Sequence, residues 1–191
     1  MTSDRPLSAS ERTQLLQVAE QSIRMAVLEQ RRWLPDPADF PPALQEPVAA
    51  FVTLERHGRL MGCVGTLAAI EPLAVTVADR ARAAAQADPR FEGVRPGDLA
   101  DLDVSVSVLS PPEPLAVNGY DQLVAAIRPG VDGVVIDADR YRATFLPAVW
   151  DDLPDREAFI AALWRKAGLS PRAWPSGARA SRYTAQYVSR E

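Results

Sequence analysis

The chain has a single cysteine, Cys63, a single histidine, His57, and a single lysine, Lys166, against 20 arginines. One cysteine excludes an internal disulfide, and the two metal-preferring residues fall short of the roughly four Cys and His ligands that structural zinc takes. There is no cysteine triplet for an iron–sulfur cluster either, so no cofactor is expected. No run of about 18 apolar residues occurs, and the first residues, "MTSDRPLSASERTQ", lack an apolar core, so membrane spanning and secretion are not expected. With free thiol chemistry and no leader, the expected compartment is the cytoplasm.

A net charge of −4 disfavours a general nucleic-acid binder, whose affinity for phosphates needs a basic face. Arg172, Arg179, Arg182 and Arg190 gather near the C-terminus, where a charge run ordinarily forms a solvated surface. At 191 residues the chain is long enough to bury a substantial core as one domain.

What is present is punctuated by 17 prolines. A capping box from Ser8 to Glu11 opens a segment with Leu15, Ala19, Ile23 and Val27 at helical spacing. "LPDPADFPPALQEP" has five prolines and is expected to be irregular. "AFVTLER" and "RLMGCVGTL" flank a short "RHG" tip and read as a β-hairpin. Leu73, Val77, Ala81, Ala84 and Ala85 then share one face of a second helix, which "DPRF" ends. "LDVSVSVL" alternates between Leu102, Val104, Val106 and Val108 on one face and Asp103, Ser105 and Ser107 on the other, so one side is core. A short helix at "YDQLVAAIRPG", a second hairpin at "GVVIDADRYRATFLP", a helix ended by Gly168 and one closing strand in "SRYTAQYV" complete the reading. Two hairpins and irregular alternation of helix with strand predict an α+β class, with antiparallel sheets and flanking helices.

The chemical question centres on Cys63, which lies between Gly62 and Gly65 in a strand, where glycine normally weakens structure. As a nucleophile the thiol needs a nearby cation, a helix N-terminus or a base. His57 sits at the hairpin tip, about 15 Å away along an extended strand, which disfavours a Cys–His dyad. The alternative is a small apolar residue whose glycine neighbours let another group pack closely. "GCVGT" lacks the ending of a phosphate loop and does not open a helix. The acids of "WDDLPDRE", Asp151, Asp152, Asp155 and Glu157, stand where a helix starts and read as caps. Trp33, Trp150, Trp164 and Trp174 are too dispersed for a base-stacking platform and read as core.

Taken together, "RLMGCVGTL", "DPRF", "LDVSVSVLSPPEPL", "RATFLPAVWDDLPDREAFIAALWRKAGL" and "SRYTAQYVS" resemble the AMMECR1 family in order and spacing, from about Leu15 to Val188. The resemblance implies a single domain over residues 1–191, built of two intertwined, unequal lobes with a cleft between them. Such proteins are also described as protein A of a system named for AMMECR1, Memo and a radical SAM enzyme, which implies a Memo-like protein and a radical SAM protein as partners. It implies no reaction.

The family's signature strand matches at Leu60, Gly62, Cys63, Gly65 and Thr66, with Val64 a mild change and Met61 in place of the usual arginine. Asp88, Pro89, Arg90 and Phe91 match, as do Ala143, Thr144, Phe145, Leu146 and Pro147. The resulting expectation is a ligand site in which Cys63, as catalytic thiol, joins Thr66, Arg90 and Thr144. Arg90 would hold an anion, and the backbone beside Gly62 and Gly65 would approach a small-molecule ligand. The alternative function is a non-catalytic module for a protein partner or, with less support from this composition, for RNA.

Overall fold

The computed structural model describes residues 5–138 and 141–190. The fold is mixed α+β, with two four-stranded sheets whose registered strand pairs are antiparallel. The chain divides into two compact units, Met1–Ser110 with Gln186–Glu191, and Pro111–Ala185.

In the first unit, α1 (Ala9–Glu29) opens at Ser8, which accepts a hydrogen bond from the Glu11 amide while the Glu11 carboxylate accepts from the Ser8 amide. Arg5 adds two hydrogen bonds to the same carboxylate. The Pro-rich segment that follows is more regular than its composition predicts. It contains a 3-10 turn at Pro37–Asp39 and the one-turn helix α2 (Pro42–Gln45). In both, proline occupies the first turn, where its missing N–H costs nothing, and Leu44 is fully buried.

Next come β1 (Ala50–Arg56) and β2 (Arg59–Gly65), joined by a two-residue turn at His57 and Gly58, both at positive φ. Helix α3 (Leu73–Gln86) and strand β3 (Leu102–Leu109) follow. Strand order is β2-β1-β3-β8, with β8 at Ala185–Ser189. Ala50, Val52 and Leu54 of β1 and Val104, Val106 and Val108 of β3 join Leu15, Ile23, Val77 and Ala81 in one core. The Ser22 hydroxyl donates to the Ala78 carbonyl at 2.6 Å and ties α1 to α3. Helices cover that face of the sheet; the opposite face carries the polar half of the alternation.

The second unit orders β4 (Glu113–Pro114), β7 (Arg179–Tyr183), β5 (Gly133–Ala138) and β6 (Tyr141–Phe145) as β4-β7-β5-β6. The predicted second hairpin is β5 and β6; the Asp139 and Arg140 part of its tip lies outside the described residues. Helices α4 (Tyr120–Ala126) and α5 (Arg156–Ala167) supply the rest of the core, and Asp155 caps α5 by accepting from the Ala158 amide. Trp150 stacks on Phe159 at 3.9 Å, and Trp164 packs on Tyr120 and Trp174. Trp150 and Trp164 are core residues, while Trp33 and Trp174 pack partly buried against the first and second cores.

The closing segment departs from the single strand expected. It is two strands in two different sheets, β7 and β8, separated by Thr184. Ala180 belongs to the second core and Val188 to the first, so one continuous strand could not serve both.

Candidate functional site

The polar face of the first sheet begins with β1, where Phe51, Thr53 and Glu55 alternate with the buried Ala50, Val52 and Leu54. Pairing sets Thr53 opposite Cys63 on β2 and opposite Ser105 on β3. Directly opposed residues share a face, so Cys63, Thr53 and Ser105 form a row across three strands. The Thr53 hydroxyl donates to the Cys63 sulfur at 3.3 Å. Cys63 is half-buried, neither sealed in the core nor fully open.

The backbone of Cys63 is held from the other side. β2 is an edge strand, and at Cys63 both the N–H and the C=O point away from β1. Left alone they would be an open template for another chain. The turn after α3 covers them. The Cys63 amide donates to Asp88 at 2.9 Å, and Arg90 donates to the Cys63 carbonyl at 3.1 Å. Arg90 also donates to Asp88 from its amide, Nε and Nη2 at 3.2, 2.9 and 2.7 Å.

Asp88 thus accepts four hydrogen bonds with its side chain only 3 % exposed. The Arg90 guanidinium holds its carboxyl well below the usual carboxylate range; burial opposes this, and the Cys63 and Arg90 amides add to it. The same contact raises the Arg90 guanidinium above its ordinary value. Arg90 lies against the Phe91 ring at 5.2 Å and keeps 57 % of its side chain exposed.

The two glycines are explained by close packing within the chain. A Cβ on Gly62 would lie 2.1 Å from the Ala84 carbonyl oxygen, so the alanine-rich face of α3 packs directly on the strand backbone. A Cβ on Gly65 would lie 2.2 Å from the Phe51 ring, which rests over that position on the polar face beside the Cys63 row. Arg90 is engaged with the chain's own carboxylate, Asp88.

Thr66 follows β2, accepts from the Ala68 amide at 3.0 Å, and lines a hollow of about 380 Å³ with Leu34, Ile70 and Arg80. Thr144 belongs to the second unit, where its hydroxyl donates to the Val134 carbonyl at 2.9 Å and meets the Tyr183 hydroxyl at 2.7 Å. Burial pushes the Tyr183 phenol up to about 12. His57 stays at the exposed turn, 3.6 Å from Asp101. Met61, where the resemblance expects arginine, packs partly buried against the first core.

A sequence model of the AMMECR1 family matches residues 16–188, which spans both units. The chain belongs to the AMMECR1 family. It is 40 % identical over 172 residues to a protein of Methanothermobacter thermautotrophicus, covering 87 % of this chain and 86 % of that one. It is 34 % identical over 188 residues to a protein of Pyrococcus furiosus, covering 93 % and 87 %. The crystal structure of an uncharacterized protein from Pyrococcus horikoshii superposes with a TM-score of 0.88 at 30 % identity, over 95 % of this chain and 92 % of that one.

For this AMMECR1 protein, sequence reasoning missed Thr53, Phe51 and Ser105 as neighbours of Cys63, and Asp88 as its backbone partner. The first three were readable: the alternation in "AFVTLER" and "LDVSVSVL" already places them on the polar face, and the remaining step is the pairing register. Among the described residues no helix is long and apolar enough to cross a membrane.

Proposed function

We propose that this protein binds a small-molecule ligand on the polar face of its first sheet, with Cys63 as the reactive or contacting thiol, and that it acts alongside a Memo-like protein and a radical SAM protein. The observation that carries the reading is the way Cys63 is mounted. Its amide and carbonyl are clamped by Asp88 and Arg90, while its half-buried sulfur takes a hydrogen bond from Thr53. A thiol fixed at the backbone and supported by a hydroxyl donor is pre-positioned for an electrophilic or polar ligand atom.

In this reading Arg90 acts first on the strand and presents its exposed remainder to an anionic group of the ligand. Gly62 and Gly65 allow α3 and Phe51 the close approach that fixes the row. Thr66, just past the strand end, is carried as a further ligand contact, whereas Thr144 is engaged within the second unit by Val134 and Tyr183. His57 takes no part, so proton transfer falls to the ligand or to water. The partners are proposed on family membership alone.

The test is mass spectrometry of small molecules released on denaturing the purified protein, with Cys63→Ala and Thr66→Val in parallel. A molecule retained by the wild type and lost from Cys63→Ala supports the proposal. Equal retention by Cys63→Ala, together with protein partners that bind both forms equally, would establish the interaction module instead.

A further inference from the structure

On the polar face of the first sheet, Ser107 stands opposite Phe51 in the β1–β3 register, one row along from Thr53 and Ser105. Its side chain therefore shares the face that carries Cys63. Ser107 is only 9 % exposed, and its hydroxyl has no hydrogen bond among the described residues. A buried hydroxyl without a partner is destabilising, and native proteins keep few of them. Ser105, two residues away on the same strand, is half-buried and also has no hydrogen-bond partner among the described residues. The face thus offers two unmatched hydroxyls beside the Cys63 row, one of them nine-tenths buried.

Charge on the same face sets the direction of a ligand. Arg90 gives Nε and Nη2 to Asp88 and Nη2 to the Cys63 carbonyl, which leaves Nη1 without a partner among the described residues. Because this guanidinium already touches the Cys63 backbone, a carboxylate on Nη1 sets the next carbon of its ligand beside the sulfur. Glu55 and Asp103 occupy the row on the other side of Cys63, where they repel an anion. The ligand then runs from Arg90 through Cys63 towards Ser105 and Ser107.

The chemistry at the sulfur is narrowed by the groups around it. With one cysteine in the chain, an oxidised or disulfide-bonded Cys63 has no second thiol to release it. The one histidine, His57, sits at the exposed turn and does not serve a leaving group. Addition to a carbonyl needs neither. The sulfur–carbon bond forms as the carbonyl π bond opens, and the thiol proton passes through water to the new oxygen. A thioether sulfur is only a weak acceptor, so Thr53, bonded to the sulfur at 3.3 Å, is then freed to donate to that oxygen.

We infer that the ligand of this face is a 2-oxo acid with a hydroxylated tail, its carboxylate on Arg90, its carbonyl carbon at Cys63 and its tail hydroxyls on Ser105 and Ser107. The assignment rests on the ligand-binding reading of Cys63 given above and names its substrate class.

The test is protection of Cys63 from iodoacetamide in the full chain by 2-ketogluconate, each protection being read against the same protein's unprotected rate. Gluconate lacks the carbonyl, fructose the carboxylate and pyruvate the hydroxylated tail. The expected result is protection by 2-ketogluconate at about tenfold lower concentration than by any of the three, and better than it protects N-acetylcysteine. Ser107→Ala removes an unmatched hydroxyl and should melt no lower than the wild type. It should cut the advantage of 2-ketogluconate over pyruvate about fivefold, the worth of one hydrogen bond. If it fails to fold, Ser105→Ala takes its place with the same expectation. Native labelling no faster than that of N-acetylcysteine overturns the Cys63 reading and this assignment with it. Fast labelling that 2-ketogluconate does not slow overturns the assignment alone. Equal protection by gluconate overturns it in favour of simple anion binding. An advantage undiminished by the folded serine variants overturns it in favour of ordered water on those hydroxyls.

Discussion

The residue on which most depends is Asp88, a buried acid whose four hydrogen bonds tie the turn after α3 to the edge of β2. Replacing it with asparagine keeps the shape but puts an amide NH₂ beside a guanidinium and a backbone amide. Hydrogen bonds to charged groups contribute about 1.5–3 kcal/mol each in favourable cases, so D88N should lower stability by about 2 kcal/mol. Chemical denaturation measures this, and hydrogen exchange of the Cys63 amide should speed up at the same time.

Gly62→Ala is expected to cost about 3 kcal/mol. Its Cβ meets a helix carbonyl, which cannot turn aside as a flexible side chain could. Thr53→Val, by contrast, should leave stability within about 1 kcal/mol while slowing alkylation of Cys63, because it removes only the hydroxyl that donates to the sulfur. A rate unaffected by Thr53→Val would mean that the hydroxyl gives the thiol no support.

At the scale of elements, α1 shows how a local sequence signal becomes a pH-dependent contribution. Glu11 closes the capping box and receives Arg5, and these hydrogen bonds lower its carboxyl to about 2. Since the folded value lies below the ordinary one of about 4.3, the ionised acid favours the fold. Its contribution is complete above about pH 4.5 and is lost as the pH falls towards 2. Asp88 acts in the same direction further into acid. Melting temperature should therefore hold steady from neutral pH to about 5 and drop below it, and Glu11→Gln should show a shallower drop.

That cap, the β1–β2 hairpin, the β3 alternation and the α5 stop at Gly168 were all legible, because each is written in neighbouring residues. The break at Thr184 was not. Both of its strands have strand-like composition, and what divides them is that Tyr183 and Val188 serve different units, a fact of tertiary packing. The clamp on Cys63 was legible only as separate pieces, since residues 63 and 88 are 25 apart and nothing local joins them.

Across the whole molecule, the two units carry separate cores, each with its own buried acid. In the second, Asp132 is fully buried, accepts three hydrogen bonds from Arg128, and lends its carbonyl to the Trp150 indole. Asp132→Ala should cost about 3 kcal/mol, because it strips a buried charge-assisted network of its acceptor. Family membership extends over both units, so the fold as a whole is the AMMECR1 fold. The functional reading rests on the first unit and on one sulfur atom in it.

The direct measurement is the alkylation rate of Cys63 by iodoacetamide near pH 7, on the native protein and on a free thiol under the same conditions. The native protein is expected to label faster than the free thiol, with D88N and Thr53→Val both slowing it. Labelling that waits for global unfolding would rule out an accessible, supported thiol and leave Cys63 as a packing residue.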